Sequence, residues 1–188
     1  MQDDETELVQ RAALRDVAAW STLYERHYDD VYAYSFSRLG AREDAEDMAS
    51  QVFVEALKGI ERFSKQRPRP VLAWLLALAR TLIATRRQQA ARAMRNQPFV
   101  QPAFDPGDAE ALVERLDLLS AIKHLTQEQQ DALILRFFLG KTTSEIAALM
   151  GRKENAIFAL QFRAVRALRR HLSPDEAAQI FRTEGGGS

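Results

Sequence analysis

Thr142-Thr-Ser-Glu-Ile-Ala-Ala-Leu-Met-Gly-Arg-Lys-Glu-Asn-Ala-Ile-Phe-Ala-Leu-Gln-Phe-Arg163 is the stretch on which the fold turns. It opens on a capping box, Thr142 to Glu145, whose two side chains satisfy backbone amides that a first helical turn leaves open. A short helix with Ile146 and Ala147 follows, then Met150-Gly151, then a second helix with Ile157 and Leu160. Two helices crossing at a tight turn need a small residue where they touch, here Ala147. They need a turn-tolerant residue four positions on, Gly151, and an apolar residue six further, Ile157. This is helix-turn-helix spacing. The second helix would enter a DNA major groove, its early outward residues near base edges and its arginines near phosphates. An ordinary helical hairpin is the plainer alternative, and the basic run Arg163, Arg166, Arg169, Arg170 favours DNA.

Outward from that stretch almost everything reads as helix, with no convincing strand alternation. Thr126-Gln-Glu-Gln129 is a second capping box, opening an apolar helix. Before it, Asp108 can cap a helix carrying Leu112, Leu116, Leu119 and Ile122. Residues 96–108 hold three of the six prolines and a Gly, and read as a linker between domains. On its far side Asp16 can cap a helix from about Val17 to Leu39, with Trp20, Leu23, Tyr24, His27, Tyr28 and Val31 at three- and four-residue steps. Gly40 closes it. A helix from Arg42 to Phe63 has the stripe Ala45, Met48, Ala49, Val52, Phe53, Ala56, Leu57 and Ile60. Glu43, Asp47, Gln51 and Glu55 lie opposite, and Gly59 costs it some stability. Two prolines make residues 64–70 a basic loop. Pro70 suits the first position of the next helix, Val71 to about Arg95, with Trp74, Leu75, Leu78, Leu82 and Ile83 inward.

The 188 residues carry 26 basic and 26 acidic side chains, a balance that hides blocks. Residues 1–60 hold 13 acidic and 6 basic residues, a net of −7, and residues 61–95 hold 1 and 9, a net of +8. Such blocks suit an acidic face for a basic protein and a basic stretch for phosphates, although solvated helix faces would look the same. No apolar run approaches the roughly 18–20 residues that span a bilayer, and the acidic N-terminus is no secretory signal, so no membrane insertion is expected. Absent cysteines fit a cytoplasmic location. His27, His124 and His171 lack ligand spacing, so no metal is expected. No phosphate loop or nucleophile–base signature points to an enzyme or a cofactor. Gly185-Gly186-Gly187-Ser188 reads as an appended linker.

Five ordered segments resemble a known family. Asp16-Val-Ala-Ala-Trp-Ser-Thr-Leu-Tyr24 with Tyr28, Asp44 to Phe53 continuing through Glu61-Arg-Phe63, and Ala73-Trp-Leu-Leu-Ala-Leu-Ala-Arg80 resemble the first three helices of extracytoplasmic-function sigma factors of the sigma-70 family. Leu125 to Leu133 and Glu145 to Gly151 resemble their C-terminal domain, so the likeness covers about residues 8–172.

The resemblance implies an all-α chain of two small helical domains joined by a flexible linker. They are region 2 in 1–95, which grips core RNA polymerase and the −10 element, and region 4 in 109–173, which reads the −35 element. A short helix over 174–184 would follow. Polymerase contacts would map to Asp47, Ser50, Gln51 and Glu55. The −10 contacts would map to Phe63, Lys65, Arg67, Arg69, Arg80, Thr81, Arg86 and Arg87, which hold a flipped base and its strand. The −35 contacts would map to Arg136, Lys153, Phe158, Ala159, Phe162 and Arg163. Phe63 and Phe162 could equally be core residues. The partners implied are core RNA polymerase, promoter DNA and an anti-sigma factor.

Three departures weaken individual contacts. Ser50-Gln51 stands where the family usually has Gln-Glu, Thr81 where Asn is usual, and Phe158 where a basic residue is common. Phe158 can donate to neither a guanine edge nor a phosphate, so no promoter sequence follows. Two other classes compete: a helix-turn-helix regulator working without polymerase, and a structural helical adaptor. The first has no need of the Trp74 helix or the basic loop, and the second leaves the basic recognition helix unexplained.

Overall fold

The computed structural model describes residues 2–66, 69–94 and 124–168, and every regular element among them is helical. The linker over 96–108, the helix expected after Asp108, the tail over 174–184 and the Gly-Ser end lie outside the described residues, as do Arg67, Arg169, Arg170 and His171.

Four helices build the first half: α1 (Gln2–Ala13), α2 (Val17–Leu39), α3 (Arg42–Ser64) and α4 (Val71–Met94). The α2 ends follow from local chemistry. The Asp16 carboxylate accepts from the Ala19 amide at 3.1 Å, and Gly40 adopts φ 78°, the left-handed conformation its missing Cβ permits. Pro70 stands one residue outside α4 rather than at its first position, its carbonyl accepting from the Trp74 amide at 3.3 Å.

The α3 stripe is buried from Ala45 through Ile60 with one exception: Leu57 is 51% exposed. A stripe this wide outruns the neighbours available, and Leu57 falls on its edge. Phe53 at its centre meets three rings of α2, with centroids 4.7 Å from Tyr24 and 6.2 Å from Trp20 and Tyr28. A Cβ at Gly59 would sit 3.4 Å from Trp74 Cζ2, an ordinary van der Waals contact, so α4 packs beside this glycine without requiring it.

The acidic start contains a helix that the periodicity reading did not assign. On α1, Leu8, Val9 and Ala12 are buried against α2 and α3. Glu5 of α1 bonds His27 Nε2 at 3.0 Å and accepts from the Val71 amide at 3.3 Å, tying α1 to α2 and the start of α4. That places His27 at a helix interface, 6% exposed.

The second half has α5 (Gln127–Leu133) running into a π-helical turn (Ile134–Phe138), then α6 (Thr143–Met150) and α7 (Glu154–Leu168). Both capping boxes are formed, at Thr126/Gln129 and Thr142/Glu145. One apolar cluster joins the two halves, continuing from Val31 and Ala79 to Ile134, Leu135, Ile146 and Ile157.

Candidate nucleic-acid interface

The turn between α6 and α7 is built as its spacing demands. Gly151 takes φ 62°, and the Arg152 amide reaches back to the Ala147 carbonyl at 2.9 Å, closing α6 with the bond that ends many helices at a left-handed residue. Ala147 is 6% exposed and Ile157 fully buried, so the two helices meet where the spacing places them. With Ile157, Leu160, Ala164 and Leu168 inward, the other side of α7 turns to solvent. Phe158, Ala159, Phe162 and Arg163 all lie on that exposed side, and Lys153 is exposed just before the helix. Phe158 at 57% and Phe162 at 68% exposure are too solvated to be core residues. Arg136 lies apart on the π turn, exposed and donating to the Lys141 carbonyl at 3.5 Å.

The residues expected at the −10 element divide. Phe63 is a core residue: it is 7% exposed and stacks on Trp74 with centroids 4.1 Å apart and planes 6° from parallel. That packing places it beneath the surface expected to meet the −10 element, as a support for it. The Arg69 guanidinium lies over the same ring, 5.4 Å from the centroid, which fixes a cation at the mouth of the loop. Lys65 pairs with Glu61 at 2.6 Å on the surface, an exposed contact that another anion can replace. Thr81 is exposed, its hydroxyl donating back to the Ala77 carbonyl at 3.0 Å. Further along α4, Arg86 pairs with Asp44 of α3 and Arg87 donates to the Arg38 carbonyl of α2 at 2.8 Å.

On α3, Asp47, Ser50 and Gln51 are exposed, and Glu55 pairs with Lys58 at 2.7 Å. That face is turned away from the buried stripe of α3.

Sequence reasoning missed Asp131. This α5 carboxylate is 3% exposed. It accepts from the Tyr34 hydroxyl at 2.8 Å, from the Arg38 guanidinium and from Gln127 Nε2 at 3.2 Å, and its second oxygen pairs with Arg80 at 3.2 Å. Burial, and then the nearby Asp131 charge, push the Tyr34 hydroxyl above its ordinary pKa and keep it a donor. The signal available was a charged residue at an inward position beside Ala132 and Leu133. Tyr34 and Arg38 lie almost a hundred residues earlier and Arg80 about fifty, and none of them leaves a local trace.

Among the described residues no helix is long and apolar enough to cross a membrane, and no group of His, Cys, Asp and Glu could hold a metal ion.

Comparison with known proteins assigns the family. Residues 23–93 match the model for sigma-70 region 2, and residues 115–168 match that for sigma-70 region 4. The ECF RNA polymerase sigma factor ShbA of Streptomyces griseus subsp. griseus is 30% identical over 187 residues, spanning 90% of this chain and 97% of that protein. The ECF RNA polymerase sigma factor BldN of Streptomyces coelicolor is 37% identical over 179 residues. That match spans 91% of this chain, which covers 66% of the length of BldN. Among solved structures, the sigma factor RpoE in complex with the anti-sigma factor NepR, from Bartonella quintana, has the same fold. Its TM-score is 0.57 at 21% identity, over 85% of this chain and 99% of that one. Fold and surfaces together define a transcription-initiation protein of the sigma-70 kind. The chain belongs to the extracytoplasmic-function sigma factors.

Proposed function

We propose that this chain docks on core RNA polymerase in the cytoplasm and directs it to promoters whose −10 and −35 elements it reads with separate surfaces. The observation that carries the reading is the solvent face of α7. A helix whose inner side is fully committed to Ile157, Leu160, Ala164 and Leu168 presents Lys153, Phe158, Ala159, Phe162 and Arg163 outward, at the position a recognition helix needs. Lys153 and Arg163 supply phosphate or base contacts, and Phe158 supplies apolar contact to a thymine methyl or a stacked base.

In the first half, Lys65, Arg69, Arg80 and Thr81, with Arg67 between them in sequence and Arg86 and Arg87 further along α4, form the −10 surface. Asp47, Ser50, Gln51 and Glu55 form the polymerase surface. The region 2 unit would span 1–95 and the region 4 unit 109–173. An anti-sigma protein is the expected regulator, a reading supported by RpoE of Bartonella quintana, whose structure was solved with the anti-sigma factor NepR. Run-off transcription with core polymerase on a promoter library tests the whole. Transcripts that depend on this chain and share two spaced elements are expected. DNA binding with no transcripts in the presence of core would favour a polymerase-independent regulator.

A further inference from the structure

The exposed side of α7 has a leading residue that the −35 contacts expected from the resemblance leave out. Asn155 and Ala164 are nine residues apart, or about two and a half turns at about 3.6 residues per turn, so they point in opposite directions. Ala164 is fully buried within the stripe Ile157, Leu160, Ala164 and Leu168. Asn155 therefore stands at the crest of the solvent side. Ala159, Phe162 and Arg166 follow it there at steps of four, three and four, all exposed. Glu154, the other polar residue of that first turn, is turned about 100° away.

The helix itself gives Asn155 no task. An asparagine that serves a helix start stands at the cap, where its oxygen accepts a backbone amide. In α7 that place is taken by Lys153, whose carbonyl accepts from the Ala156 amide at 2.9 Å and the Ile157 amide at 3.2 Å. Asn155 lies inside the helix, where a short polar side chain is a poor helix former. Its carboxamide has no hydrogen-bond partner among the described residues.

A free carboxamide at the leading end of such a helix has a definite chemistry. It presents a donor, Nδ2, beside an acceptor, Oδ1, the pattern that matches N7 and the N6 amino group on the major-groove edge of adenine. A recognition helix brings its N-terminal residues to base edges. The exposed side chains nearest Asn155 one turn on are Phe158 and Ala159, with Phe162 beyond them. None of the three can donate, and all suit thymine methyls. Arg163 and Arg166 lie about 12 Å and about 17 Å further along the axis and meet a different part of the duplex.

We propose that Asn155 is a specificity-determining residue of the −35 reader. Its Nδ2 donates to adenine N7 and its Oδ1 accepts from adenine N6, so the element carries an A·T pair under the start of α7. This assignment rests on the −35 reading of α7 and adds to it one residue and one base.

The test uses the full chain assembled with core polymerase and a pool of duplex promoters randomised upstream of the −10 element, the bound duplexes being sequenced. The parent should enrich adenine at one upstream position by about tenfold or more over each other base. Asn155→Ala should lose that preference alone, keeping the other positions, the thermal midpoint and the salt dependence of binding. At the same position 7-deazaadenine, which lacks the N7 acceptor, should weaken the parent about fivefold or more and leave Asn155→Ala unaffected. Base preferences unchanged in Asn155→Ala would overturn the assignment. So would an equal loss of affinity for every sequence, which marks a phosphate contact, or an equal 7-deazaadenine effect in both proteins. In those cases the parent still selects an upstream element and the −35 reading stands. A parent holoenzyme that enriches no upstream element would overturn the −35 reading and this assignment together.

Discussion

Single residues in this chain show why identity alone does not assign a role. Phe63 and Phe162 are the same side chain near basic residues, yet one is stacked on Trp74 and the other is 68% exposed. Which neighbour arrives at each position is decided by a distant helix, and composition is silent about that. Trp74→Ala should therefore cost about 3–5 kcal/mol in urea unfolding, because it empties the space over both Phe63 and Gly59. Phe158→Ala and Phe162→Ala should change stability by no more than about 0.5 kcal/mol. Both should weaken binding of a −35 duplex by the holoenzyme. If the two substitutions instead destabilise the fold as Trp74→Ala does, their exposure is misassigned.

At the level of elements, what is local was legible and what is distant was not. Asp16, Thr126 and Thr142 each set a helix start through atoms within three residues, and Gly40 and Gly151 each end a helix by their own backbone conformation. By contrast α1 was missed. Its stripe of Leu8, Val9 and Ala12 is short, and the acidic side chains around it read as a solvated end until α2 and α3 cover it. Its attachment has a pH signature. The His27 hydrogen bond holds the Glu5 carboxyl below its usual value, against the opposing effect of burial and with help from the Val71 amide. A lowered folded-state pKa gives stability that is present above the unfolded value, about 4.3, and lost as pH falls through the folded one. Glu5→Gln should thus be less stable than the parent by about 1 kcal/mol at neutral pH. The gap should narrow as pH falls from the unfolded value through the folded one, and a gap independent of pH would rule out this origin. On α3, Asp47→Arg with Glu55→Arg inverts an outward face. Thermal unfolding should be unchanged within about 0.5 kcal/mol while affinity for core polymerase falls. Unaltered affinity and salt dependence would remove that face from the polymerase surface.

Over the whole molecule, the all-helical class and the family could be read from five ordered segments, because their caps, turns and stripes are short-range patterns. The contact between the halves could not. Asp131 meets Tyr34 and Arg38 across almost a hundred residues, and a lone Asp on an amphipathic helix looks like any solvated charge. The central claim is a division of labour, with opening of the −10 element assigned to the loop and α4 and −35 recognition to α7. Permanganate footprinting of the holoenzyme on a matched duplex promoter and on a pre-melted bubble of the same sequence tests it most directly. The account predicts that Arg69→Ala with Arg80→Ala loses thymine reactivity on the duplex and keeps it on the bubble, whereas Lys153→Ala with Arg163→Ala weakens −35 discrimination and still engages the bubble. Full opening of the duplex by the Arg69 and Arg80 variant would contradict it.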